Sequence, residues 1–149
     1  MKTSLDILTE KLEGLLTRTH DAEEGFKKAS EKTDHLGLKA YFKTKSEQRK
    51  EFAEELAEEI KALGGEYKKG TSLEGHVHRA WMDIKTLFSS HDAEAMLEAA
   101  ITGEKKAVKD YEDAIYDSAT PPSIVSILKE QLSKIQSGLN TIKTLENLQ

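Results

Sequence analysis

Leu5, Leu8, Leu12, Leu15, Thr19, Ala22, Phe26 and Ala29 recur at alternating steps of three and four residues. This heptad seam predicts a long helix packed on its neighbours at roughly 20°. It starts near Thr3, where Thr3 or Ser4 caps the first amides and Asp6 suits the helix dipole, and it turns around Lys32-Thr33-Asp34. Leu38, Phe42, Lys45, Arg49, Phe52, Leu56, Ile60 and Leu63 mark the face of a second helix, stopped by Gly64-Gly65. After a polar loop, Thr71-Ser72-Leu73-Glu74 reads as a capping box. A short helix follows, carrying Leu73, Val77, Ala80, Trp81, Ile84, Leu87 and Phe88, and Ser89-Ser90-His91-Asp92 interrupts it. Beyond the break, Ala93, Met96, Leu97, Ala100, Gly103, Glu104, Ala107, Tyr111, Ala114 and Ile115 predict the third long helix. The last loop runs from Asp117 to Pro122, with Thr120 as cap and Pro121 at the first helical position. Ile124, Leu128, Gln131, Leu132, Ile135, Leu139, Ile142 and Leu145 give the final stripe. No stretch alternates with period two, and no hairpin dipeptide occurs. The pattern predicts an all-α chain: one domain over 1–149, an antiparallel four-helix bundle with a short extra helix before the third long one.

Composition narrows the function classes. At 149 residues the chain is one ordinary domain, and 33% charged against 37% apolar residues suits helices with one solvated face. The net charge of −5 argues against nucleic acid, whose phosphates call for clustered Lys and Arg. There is no cysteine, hence no disulfide and no thiolate site. No apolar run approaches the ~20 residues of a membrane span, and no signal run follows Met1, so the expectation is a soluble cytoplasmic protein.

Candidate chemistry lies on the apolar stripes themselves. On an ideal wheel Arg49 falls within about 20° of Leu56, and Glu104 and Gln131 fall about 40° from Ala100 and Ile135. Tyr111 shares the face of Glu104, and Glu23 or Glu24 lies beside the first seam. All stand near mid-helix, so folding brings them to similar depth. A charge on a buried face needs a partner, because desolvating it alone is too costly. The expectation is a structural polar core of Glu23, Glu24, Arg49, Glu104, Tyr111 and Gln131. The alternative is a metal or small-ligand site built from Glu24, Glu47, Glu51, Glu104 and Glu130. Lys45, one turn before Arg49, is read as a lysine snorkelling at the helix interface.

At this point the chain resembles a bacterial group catalogued as domain of unknown function 2383. The resemblance rests on Glu24-Gly25-Phe26, on Ser46, Arg49, Phe52 and Leu56, and on Gly75, His78-Arg79-Ala80-Trp81 and Lys85. It continues with Gly103-Glu104, Tyr111 and Gln131. It implies a ferritin-like four-helix bundle. Ferritin-like di-metal proteins carry Glu-x-x-His on two helices, yet no glutamate here has a histidine three residues later. The histidines are at 20, 35, 76, 78 and 91, and Arg49 would place a cation beside any metal. The resemblance thus implies the fold while the residues argue against ferroxidase chemistry.

His78 and Arg79 make a surface anion candidate, though Trp81 beside them reads as a packing anchor. No Ser-His-Asp set and no phosphate loop can be read. The leading expectation is a non-enzymatic bundle without cofactor, in a stress-associated or housekeeping binding role. Two alternatives stand beside it. One is a divergent carboxylate-bridged protein or oxidoreductase holding iron or manganese. The other is a module that self-associates as a homodimer through off-stripe Ile7, Leu16, Ile101, Val125 and Leu148.

Overall fold

The computed structural model describes residues 3–64 and 93–147, with side chains to residue 142. It contains four helices: α1 (Ser4–Lys32), α2 (Leu36–Ala62), α3 (Ala93–Ile115) and α4 (Pro122–Asn147). No strand occurs among the described residues. The short helix expected around Trp81, with His76, His78 and Arg79, lies outside them, as does the break at 89–92. The architecture is a helical bundle in which α1 packs along α2 and α3 along α4.

Local chemistry sets the helix ends. The Thr3 hydroxyl accepts from the Asp6 amide, and the Asp6 carboxylate accepts from the Thr3 amide, both at 3.1 Å. This capping box satisfies donors that α1 would otherwise leave open. Thr33, Asp34 and His35 separate α1 from α2. His35 caps α2 by accepting the Leu38 amide at Nδ1, 3.1 Å away, and the Thr33 hydroxyl accepts the His35 amide. Lys39 reaches back across the turn to donate to the Ser30 carbonyl at 2.9 Å. Gly64, at φ 87°, takes the left-handed conformation that ends α2.

The start of α4 differs from the expectation. Pro122 is its first residue, and the Pro121 carbonyl accepts the Ile124 and Val125 amides. Thr120 does not cap this helix; its hydroxyl donates to the Ala114 carbonyl at 2.7 Å, closing the end of α3 instead.

The core divides into two apolar clusters. One gathers Leu8, Leu12, Leu15 and Leu16 of α1 with Phe52, Leu56 and Ile60 of α2, Tyr111, Ala114 and Ile115 of α3, and Ile124, Leu128 and Ile135 of α4. The other gathers Ala22, Phe26 and Ala29 with Leu38, Phe42, Met96, Leu97, Ala99, Ala100, Leu139 and Ile142. Two apolar expectations need correcting. Leu16 is fully buried and offers nothing to a dimer seam, because a core-facing helix buries a stripe wider than the heptad seam alone. Leu5, assigned to the seam, is 49% exposed in the first turn of α1. Ile7 is exposed, Ile101 and Val125 are partly buried, and Leu148 lies outside the described residues.

Candidate functional site

Thr19, Arg49 and Glu104 stand where the stripes of α1, α2 and α3 pass from one apolar cluster to the other. Arg49 is 1% exposed and Glu104 0%. Arg49 Nη2 donates to Glu104 Oε1, joining α2 to α3, and Nη1 donates to Gln48 Oε1 at 2.9 Å. The flat guanidinium also faces two rings, with Cζ 5.6 Å from the Phe26 centroid and 5.7 Å from that of Phe52. These cation–π contacts are strongest where water is excluded, so aromatic faces from α1 and α2 replace much of the hydration that Arg49 loses. Glu104 Oε2, by contrast, is buried with no hydrogen-bond partner.

The surrounding polar groups extend the pair. The Tyr111 hydroxyl donates to Gln131 Oε1 at 2.6 Å. Gln131 Nε2 lies 3.4 Å from the Phe52 carbonyl and 3.3 Å from Glu55 Oε1, so α4 is tied to both α2 and α3. Lys45 is 7% exposed, with its ammonium 5.6 Å from the Tyr41 ring centroid. It lies against Gly138 of α4: a Cβ there would stand 2.1 Å from Lys45 Nζ. The Tyr41 hydroxyl donates to the Gly138 carbonyl at 2.9 Å. The absent side chain thus opens a berth for the lysine, and its stem is covered rather than splayed to solvent.

Burial dominates the electrostatics. It pushes the Glu104 carboxyl above the usual carboxylate range, while the charges of Arg49 and Lys45 and the bond from Arg49 pull it back. Burial likewise lowers the Lys45 ammonium; Glu104 opposes that shift and Arg49 adds to it. The Tyr111 phenol is pushed up to about 12, chiefly by burial, and Tyr41 moves the same way, with Glu104 adding to burial and Arg49 opposing it.

Of the residues singled out from the sequence, the structure brings Arg49, Glu104, Tyr111 and Gln131 into one buried layer. Glu23 and Glu24 need correction. Glu24 is exposed, and the half-buried Glu23 carboxylate meets His20 at 3.4 Å. Glu23 contributes to the interface through its backbone, whose carbonyl accepts from the Ser46 hydroxyl at 2.9 Å. The spacing leaves open which of the two faces the core; Glu23 lies at the edge of the interface and Glu24 on the solvent side.

The five-glutamate metal alternative does not assemble. Glu24, Glu47, Glu51 and Glu130 are exposed, and Glu104 is turned to a guanidinium. Among the described residues no group of three or more His, Asp or Glu side chains is placed to hold a metal ion. The described residues therefore do not fit the di-metal centre of ferritin-like bundles, and Oε1 of the buried carboxylate is held by a guanidinium.

Several participants escaped sequence reasoning. Phe26 and Phe52 were read as packing residues only, though both face Arg49. Tyr41 and Lys45, four apart on one helix face, carried a usable signal of mutual contact. The Arg18–Asp110 pair between α1 and α3, at 3.0 Å, left no local signature because its members lie 92 positions apart in the chain.

No described helix is long and apolar enough to cross a membrane. The chain matches none of the curated proteins with which it was compared. A family model does match it over residues 8–117, a span that includes the Arg49–Glu104 pair and ends before α4 and Gln131. On that match the chain belongs to the family described as Domain of unknown function (DUF2383).

Proposed function

We propose that the chain is a non-enzymatic, antiparallel ferritin-like bundle spanning 1–149. In it, the Arg49–Glu104 layer takes the position that related bundles give to a di-metal centre. Pairing of Lys39 with Ser30, Phe42 with Phe26 and Ser46 with Glu23 supports the antiparallel reading of α1 and α2, because the partners run in opposite order along the two helices. The observation that carries the functional reading is a fully buried carboxylate held by a guanidinium, which itself faces two phenyl rings. Such a layer fixes how helices align more than it adds net stability. The protein then acts as a cytoplasmic scaffold or binding module through its surface.

The test is total metal analysis of protein purified without chelators, together with melting curves with and without Fe²⁺ and Mn²⁺. The expected result is no stoichiometric metal and an unchanged Tm. Metal at about one equivalent or more per chain, with Tm raised by added ion, would overturn the reading, since an ion that binds only the native state must stabilise it.

A further inference from the structure

The turn between α1 and α2 closes on a nitrogen cap. His35 Nδ1 accepts the Leu38 amide at 3.1 Å, a bond that Ser, Thr, Asp and Asn oxygens commonly make at a helix start. An imidazole nitrogen accepts only through its lone pair, so Nδ1 carries no proton and the ring N–H is at Nε2. Gly37 leaves room for this pose. A Cβ there would stand 3.1 Å from His35 Cε1, inside the contact distance of about 3.5–4.0 Å that carbon atoms prefer. A hydroxyl or amide cap keeps its lone pairs at ordinary pH, whereas an imidazole loses its acceptor on taking a second proton. The ring is exposed, so protons reach it.

We infer that the α1–α2 turn is an acid-sensitive latch, in which neutral His35 closes the first turn of α2 and protonation at Nδ1 opens it. The charged groups nearest in the chain are Glu31 and Lys32 at the end of α1, Asp34 in the turn, and Lys39, whose ammonium is held by the Ser30 carbonyl. The first turn of α2 has no acidic residue. Among the described residues no ion pair joins the His35 ring to α3 or α4. A second proton therefore sets an N–H against the Leu38 N–H, and a cation at the positive end of the helix dipole. The Leu38 side chain is 1% exposed, packed in the cluster of Phe42, Met96 and Ile142. A cap contributes less than the burial of a leucine, so the helix entry opens while the bundle stays folded.

The test is NMR of ¹⁵N,¹³C-labelled protein from about pH 8 to about pH 5, the span over which imidazoles titrate, on the wild type and on His35→Asn. Asparagine caps well, and its oxygen does not titrate there. At the neutral end, long-range imidazole spectra should show the Nε2–H tautomer of His35. On acidification, protection of the Leu38 amide, corrected for intrinsic exchange, should fall about fivefold. The carbon shifts of Leu36 to Lys39 should move towards coil in step with His35 protonation, and His35→Asn should hold both readouts constant. A neutral Nδ1–H tautomer in the wild type overturns the inference, whether or not the variant folds. So does a His35 ring that charges while the Leu38 amide keeps its protection, or an equal loss of protection in folded His35→Asn.

Discussion

The two apolar ends on either side of Arg49 and Glu104 are built from different residues. One is carried by branched aliphatics: Leu12, Leu15, Leu16, Leu56, Ile60, Leu128 and Ile135. The other sets Ala22, Ala29, Ala99 and Ala100 among Phe26, Phe42, Met96, Leu38, Leu97, Leu139 and Ile142. Branched side chains interlock and hold helices apart, whereas alanines let backbones approach and leave the remaining volume to a few large rings. Each end lends one ring to Arg49, Phe52 from the aliphatic end and Phe26 from the alanine-rich end. Lys45 and Tyr41 also stand toward the alanine-rich end. The difference is that Arg49 draws a ring from each end, whereas Lys45 takes its ring, Tyr41, from the alanine-rich one.

The sharpest break of this comparison is at the boundary. Glu104→Ala leaves Arg49 buried without its carboxylate and should cost about 3–5 kcal/mol in denaturant unfolding; an unchanged midpoint would show that the pair does not hold the two ends together. Next comes the aliphatic end, where Leu128→Ala should cost about 2–5 kcal/mol through the cavity it leaves.

Alkaline titration probes the layer between. Tyr111 sits at about 12 in the folded chain, against about 10 when unfolded. The folded state holds this proton more tightly, so the contribution is fully present below about pH 10 and is lost as pH rises towards 12. The loss should reach roughly 2–3 kcal/mol. Melting curves of Tyr111→Phe should therefore fall less steeply over that window than those of the wild type, and parallel curves would remove Tyr111 from the account.

At the alanine-rich end the vulnerable direction is reversed. Ala100→Leu should cost about 1–3 kcal/mol by overpacking, and a neutral outcome would mean that this end is loosely filled. The smallest effect is expected at Gly138→Ala. The new methyl displaces the flexible Lys45 head while helix propensity improves, so stability should change by less than about 1 kcal/mol. The readout is chemical: amine labelling of Lys45 should speed up in the variant, and an unchanged rate would show that the berth does not shelter it.

Much of this was legible in the chain. Helix order followed from three- and four-residue spacing. The ends at Thr3 and Gly64 followed from side-chain oxygens and left-handed backbone, both local properties. The Arg49–Glu104 pair was readable because each charge interrupts an otherwise apolar stripe, and burial forces such charges to find each other. Spacing cannot say which side of a stripe is widest, so it sets Leu16 outside the seam and leaves open whether Glu23 or Glu24 faces the core. Nor could it find the start of α4, where two prolines in succession both suit a helix entry and Thr120 has a competing acceptor in the carbonyl of Ala114. Ring faces serving a cation, and a lysine resting against a glycine on a distant helix, arise only from tertiary approach.

The four-residue interval between Lys45 and Arg49 carries a consequence for assembly. Four residues span about 6 Å of helix, so α2 displaced by that distance would bring Lys45 to the level that Arg49 now holds beside Glu104. In that register the carboxylate would meet a point charge in place of a planar fork of donors. The displaced guanidinium would lose the Phe26 face on α1, while Phe52, on α2 itself, would travel with it. The register that sets Arg49 opposite Glu104 is the one that gives the carboxylate a planar donor and the cation both rings.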